Sequence, residues 1–156
     1  MRNAAPNLTS LTREQDEYQW LMATCQKLEQ DVLTRTDKRQ LVEILQGMML
    51  SQKLHLKQLL RSLWLQLLRW QHQPQKRCND WVEHITELRY QLLDHFTASP
   101  ALKDAAASMV FTCYQEACTI MSTEDHFPVE HLPLEEFPQE LPFSLSDILD
   151  LRFFPT

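Results

Sequence analysis

The sequence predicts an all-α fold: a four-helix-type bundle with a long second helix and a proline-rich C-terminal strap. Three observations predict it. Apolar residues recur at steps of three, four and seven from Tyr18 to Met121, which is the helical period. The chain holds a single glycine and few β-branched runs, which disfavours a β-rich fold. Five of its eight prolines fall between positions 128 and 155, where they alternate with large apolar residues. With 156 residues, 44% of them apolar, the chain can build one real core. The expected organisation is one helical domain over 1–156, with the bundle at 12–123 and the strap, carrying one short helix, at 124–156.

Residues 1–11 read as a loose leader. Thr12-Arg13-Glu14-Gln15 has the form of a capping box, so a first helix is expected from there to about Leu33. Its apolar face carries Tyr18, Leu21, Met22, Cys25, Leu28 and Val32, and Tyr18 is expected in the core. Thr34 to Thr36 make a short turn, which sets the first two helices as antiparallel neighbours. Asp37 with Gln40 marks the second start.

The second helix organises the rest. Leu41, Leu45, Met48, Leu56, Leu59, Leu63, Leu67 and Trp70 form one apolar row, and Met49, Leu60, Trp64 and Leu68 widen it. So wide a face is normally contacted from several sides. Pro74 lacks an N–H, so the helix ends near Gln73. It would span roughly 55 Å if straight, at about 1.5 Å per residue, and Gly47 is the natural bend point. Lys53, His55, Lys57, Arg61 and Arg69 interrupt the run, so it is not a membrane span.

Asp80 with Glu83 suggests a third start, with Trp81, Ile85, Leu88 and Leu92 as its stripe and an end near Phe96. Ser99-Pro100 is a strong fourth start: a serine N-cap followed by proline at the first helical position. Leu102, Ala106, Met109, Val110, Cys113, Ala117, Ile120 and Met121 form the last long stripe. Beyond it, Phe127, Val129, Leu132, Leu134, Phe137, Leu141 and Phe143 recur too often for a disordered tail. They are expected to pack on the bundle, with Ser144 and Asp147 capping a short helix and Phe153 and Phe154 closing the strap.

Charge is unevenly spread in a chain of net −6. No acid lies between Glu43 and Asp80, while Lys53, Lys57, Arg61, Arg69, Lys76 and Arg77 contribute +6. No cation lies between Lys103 and Arg152, while ten acids do. Either the two regions neutralise each other, or the basic one faces an anionic partner. The four cysteines form no C-x-x-C pair and the first ten residues hold no apolar signal segment, which points to a reducing cytoplasm. Cys25 and Cys113 are expected as small core residues.

One run is distinctive. Leu67-Leu68-Arg69-Trp70-Gln71-His72-Gln73-Pro74, followed by Arg77 and Trp81, resembles the LLKWQYQPE-R-x-x-x-W signature of the DUF29 family. Asp16 to Leu21 is similar to that family's DFYxWL opening, Asp37 to Glu43 to its second helix start, and Phe137 to Pro142 to its FPEECP tail. Two positions depart: Val42 and Ile44 flank Glu43 where many members carry adjacent acids, and Gln66 stands where many have histidine. The resemblance implies a small helical protein of a mainly cyanobacterial family and brings no activity, cofactor or partner with it.

Motifs for chemistry are sparse. One glycine excludes a P-loop, a dinucleotide fingerprint and a G-x-S-x-G elbow. There is no H-E-x-x-H and no Glu-x-x-His pair, so zincin and di-iron patterns find no support. His126 and His131 share a loop with Glu124, Asp125 and Glu130, a weak metal pattern. His84 and Glu87 share a helical face, an arrangement more common as a surface pair than as an acid–base dyad.

The expected function is a non-enzymatic protein-binding or adaptor module without a cofactor, with a homo-oligomer left open. Its expected contact surface is Lys53, Lys57, Arg61, Arg69, Trp70, His72, Gln73, Lys76 and Arg77. The second reading is nucleic-acid association through the same stretch, with Trp64, Trp70 and His72 as stacking groups, against which the pI of 5.5 argues. The third is an enzyme with a helical pocket built from Glu43, Gln66, Trp70, His72 and Gln73.

Overall fold

The computed structural model describes residues 13, 16–123 and 133–156. Five α-helices run over Glu17–Glu29 (α1), Arg35–His72 (α2), Asn79–Ala98 (α3), Pro100–Thr123 (α4) and Leu145–Leu149 (α5). Single 3-10 turns follow α2 at Pro74–Lys76 and precede α5 at Leu134–Glu136. No strand occurs among the described residues. The fold is all-α, as the periodicity predicts.

The chain divides into two compact units, residues 1–49 and 50–156. The first contains α1 and the start of α2. Asp16 caps α1, its Oδ1 accepting from the Gln19 amide at 2.9 Å; most of the expected box at 12–15 lies outside the described residues. The helix stops at Glu29, earlier than Leu33, in a left-handed turn. Asp31 has φ 54°, the Asp31 amide reaches the Leu28 carbonyl and the Val32 amide reaches the Lys27 carbonyl. That is a Schellman closure with aspartate in the place usually given to glycine. α2 begins two residues before Asp37, because Thr34 is the cap. Thr34 Oγ1 accepts from the Asp37 amide at 3.1 Å, and Asp37 Oδ2 accepts from the Thr34 amide and hydroxyl at 2.9 and 2.7 Å. Asp37 therefore closes a capping box with Thr34 and does not pair with Gln40.

Among the described residues of this unit, one face is buried. Trp20, Thr24 and Lys27 share it at helical spacing, and Lys27 Nζ meets Asp37 Oδ1 at 3.2 Å. Trp20 is 7% exposed, whereas Tyr18 is 73% exposed. The expectation of a core Tyr18 and Cys25 is corrected: Tyr18, Leu21, Met22, Cys25, Leu28 and Val32 all face outward. A 13-residue helix has one buried stripe to offer, and here that stripe runs through Trp20.

The second unit holds the main core. α2 continues unbroken through Gly47 to His72, ending where Pro74 requires. Leu56, Leu60, Leu63, Trp64, Leu67 and Leu68 are fully buried. They meet Ile85 and Leu92 of α3 and Val110, Cys113, Tyr114 and Ala117 of α4 in one cluster. α3 packs on α4 and α5, and α4 on the turn at 134–136. Small Ala106 and Ala117, both fully buried, let α4 approach closely. The upper row of α2 does not join this core: Leu45, Met48 and Met49 are exposed, contrary to the single continuous row read from sequence.

The described strap packs as expected. Phe137, Ile148 and Leu149 are buried. Phe143 stacks on Trp64 with ring centroids 6.1 Å apart, and Phe154 tilts onto Trp70 at 4.9 Å. Ser144 and Asp147 form the predicted capping box at the start of α5, and the hydroxyl and amide of Ser144 hold the Asp147 carboxyl below its ordinary range. Phe127, Val129 and Leu132 lie outside the described residues. No described helix is long and apolar enough to cross a membrane.

Candidate functional site

Two surfaces compete for the role. The first is the basic stretch, which lies in the second unit. α2 carries Lys53, Lys57 and Arg61 on successive turns and Arg69 about two turns further on, but the fold gives several of them partners. Lys57 and Arg61 both pair with Glu116 of α4, and the Lys57 ammonium beside it is the main cause that holds the Glu116 carboxyl below its ordinary value. The Cys113 thiol donates to the Lys57 carbonyl at 3.7 Å, and burial pushes that thiol up to about 11. Cys113 is thus an inert core group.

The corner after α2 is closed by its own side chains. Arg77 Nε donates to the Trp70 carbonyl at 2.8 Å, and its guanidinium lies 4.8 Å above the Trp70 ring. With Phe154 against the same ring system, Trp70 is a packing residue held by a cation and an aromatic. His72 meets Phe137 edge-on at 5.4 Å, and burial lowers its pKa against the opposing pull of Glu136. Gln73 is buried, and its Oε1 has no hydrogen-bond partner among the described residues. Lys53 and Lys76 are exposed. Structure thus brings Trp70, His72, Gln73 and Arg77 to one corner, ties Lys57 and Arg61 to an acid, and leaves Lys53 outward.

The helical pocket read from sequence gains no geometry. Glu43 is exposed and belongs to the first compact unit, whereas Gln66, Trp70, His72 and Gln73 belong to the second. His84 and Glu87 are exposed on α3, and Glu87 accepts from Gln91 Nε2 at 2.8 Å. His126 and His131 lie outside the described residues. No group of three or more metal-ligating side chains occurs among the described residues. Tyr114, Cys118, Leu134 and Phe137 line a cleft of about 210 Å³, below the usual size of a ligand pocket. Gln115, Thr119 and Gln139 also line it, and the Tyr114 hydroxyl is committed, donating to the Pro138 carbonyl at 2.9 Å.

The second surface is the apolar face of the first unit. Tyr18, Leu21, Met22 and Leu28 on α1, Val32 after it, and Val42, Leu45, Met48 and Met49 on α2 are each exposed. The most exposed after Tyr18 is Met49, at 60%. A groove of about 460 Å³ along α1 is lined by Asp16, Tyr18, Gln19, Met22, Ala23 and Gln26, half of them polar or charged. Monomeric proteins rarely expose contiguous apolar patches beyond a few hundred Å², and larger ones mark interaction sites. Methionine suits such a surface, since its unbranched side chain adapts to different partners. The same two helices expose charged residues, Asp16 and Glu17 at the start of α1 and Arg35, Lys38, Arg39 and Glu43 along α2, of which Glu17 pairs with Arg13 at 3.3 Å.

Sequence reasoning placed all of these apolar residues but Val42 on rows expected to meet a core. The signal that separates the two cases is length. α2 has 38 residues and α1 has 13, so α1 cannot cover more than one side of the α2 start. It also missed Arg89, which is fully buried in the α3 stripe; a lone cation amid Ile85, Leu88 and Leu92 was the available sign.

A family model described as a domain of unknown function, DUF29, matches residues 12–154. No curated protein and no solved structure matches the chain.

Proposed function

Since the chain belongs to the DUF29 family, whose description names no activity, we propose from its geometry that it is a protein-binding module docking through the apolar face of residues 17–49. The observation that carries this is the set of large apolar side chains left exposed on one small two-helix unit. A two-helix unit cannot bury two apolar faces by itself, and the second face is stable in water only when something covers it. The mixed charge on the same helices supplies register and selectivity around the apolar contacts.

The catalytic reading has no group of three or more His, Cys, Asp or Glu side chains placed to hold a metal among the described residues. The nucleic-acid reading would need the cations of 53–77 free to contact phosphates, and Lys57, Arg61 and Arg77 are engaged within the fold. The four cysteines, none in a disulfide, support a reducing compartment as the place of action.

The test is capture from native lysate with and without nuclease, using the natural chain and the variant L45E/M49E. The expected result is a nuclease-resistant protein, either another chain or more of this one, retained by the natural chain and lost by the variant. Retention of the same proteins by both would overturn the docking reading. Loss of everything on nuclease treatment would replace it with nucleic-acid association.

A further inference from the structure

We propose that His55 of α2 and His95 of α3 form a binding site for a divalent transition-metal ion of the zinc class. The site lies wholly within the second compact unit and does not depend on the docking reading.

Topology brings the two residues together. α2 runs into the corner at Pro74 and α3 runs out of it, and positions 55 and 95 stand at equal distances along the chain from Gln75. Two helices folded back on each other at that corner set such positions opposite one another. The imidazole rings do meet, with centroids 5.2 Å apart and planes at 73°. Leu56 and Phe96, each the next residue along, are buried and fix the backbone beneath both rings.

The spacing suits a metal. Neutral imidazole is the commonest protein ligand and binds zinc, copper and nickel. An ion held at ~2.1 Å by one nitrogen of each ring, at a tetrahedral angle, sets the ring centroids about 5 Å apart. The separation already present is therefore that of a ligated pair. His55 is exposed and His95 half-buried, so an ion can arrive from solvent. The exposed ring can turn a nitrogen toward it, because the torsion that carries an imidazole is a soft one.

The surroundings accept a cation. The polar residues one helical turn away are Ser51, Gln52 and Gln58 beside His55, and Gln91 and Ser99 beside His95, all uncharged. Lys53 and Lys57 stand two positions from His55, on the other side of α2, and Lys57 is paired with Glu116. No third His, Cys, Asp or Glu side chain joins the pair among the described residues, so water completes the coordination, as it does in open zinc sites. The ion is thus exchangeable, and it ties α2 to α3 at the end of the core remote from the Pro74 corner.

The test follows the ring C–H signals of the six histidines by NMR while Zn²⁺ alone is added to the full chain at about pH 7.5, where imidazole is neutral. His55 and His95 should respond together, before His72, His84, His126 and His131, and a chelator should reverse the change. His55→Asn alters an exposed position and keeps the fold. It should weaken the zinc response of His95 by at least about tenfold, because two fixed ligands hold one ion far better than either alone. His126→Asn/His131→Asn should leave the response of the pair unchanged. A His95 response that survives His55→Asn at full strength would mean that the rings merely touch, and would overturn the proposal. So would a chain in which zinc moves neither signal, or one in which the pair responds only after the other histidines.

Discussion

Arg89 on α3 donates from Nε to the carbonyl oxygen of Ile148, 59 residues later, at 2.8 Å. The same guanidinium reaches the Phe153 carbonyl through Nη2 at 2.6 Å and lies 5.2 Å from the Phe154 ring centroid. A cation fully removed from water is normally held by a carboxylate. This one is held by the last turn of a short helix and the segment after it. The arrangement is sensible for a helix of five residues, which is far too short to persist alone. Its C-terminal carbonyls find a donor, and helix C-termini favour positive charge. Burial lowers the Arg89 pKa, while Asp150 opposes that shift.

Replacing Arg89 should therefore release the C-terminal strap. Arg89→Ala leaves two carbonyls without donors and opens a cavity, and is expected to cost about 3 kcal/mol. Arg89→Lys keeps the charge but cannot present the planar fork to two acceptors at once, and should lose a smaller part of that. Hydrogen exchange should show the amides of residues 145–154 losing protection well before those of α3. Uniform loss of protection across the whole chain would show that Arg89 supports the core and not the strap.

The Thr34–Asp37 box controls the start of the long helix. Asp37→Ala removes one half of the box and the partner of Lys27 together, and should destabilise the first unit by about 1–2 kcal/mol. The bonds from Thr34 hold the Asp37 carboxyl below its ordinary value, with Lys27 adding to the effect. A depressed carboxylate contributes stability that is present above the unfolded value of about 3.9 and lost as pH falls through the folded one. The natural chain should thus lose stability below about pH 4 more steeply than Asp37→Ala does. Parallel acid melts followed by circular dichroism would reject this role of the box.

Gly47 offers a change in the other direction. It sits in the middle of α2 with an ordinary helical φ, and a Cβ built there meets nothing within 4 Å. Gly47→Ala should stabilise the chain by about 0.5–1 kcal/mol, by removing the extra freedom of glycine from the unfolded state. Thermal melts of the two chains check this, and a lowered melting temperature of the variant would show that position 47 needs glycine.

His72 predicts a pH effect near neutrality. Burial against Phe137 favours its neutral form, so its folded pKa lies below the free value. The sign follows from proton counts: below about pH 6.5 the unfolded chain takes up a proton that the folded chain refuses, and stability falls as pH drops through that range. His72→Gln cannot titrate, and should flatten this part of the stability curve relative to the natural chain. Denaturant melts at a series of pH values around 6 would show it; identical slopes would mean that His72 remains as solvated folded as unfolded.

The sequence alone determined the helices and most of their ends. Ser99-Pro100 starts α4 and Ser144-Asp147 starts α5, because caps are local events fixed by three or four neighbouring residues. Pro74 ends α2 for the same kind of reason. The apolar rows that meet in the core, from Leu56 to Leu68 and from Ile85 to Leu92, were legible as period. The family resemblance was legible too, through the run from Leu67 to Pro74.

Which apolar row faces which neighbour was left to the tertiary structure. Periodicity says that Leu45 and Leu56 lie on related faces of one helix, but not that Leu56 is buried and Leu45 exposed. Exposure depends on what else is near, and that is settled by helix lengths and by which elements pack together. Charge obeys the same logic. Lys57 and Arg61 read as a free basic surface until α4 places Glu116 beside them, and nothing local to Arg89 announces the two carbonyls that the strap places over it. Local chemistry fixes an element, but the interaction that gives a side chain its role is made with residues more than fifty positions away.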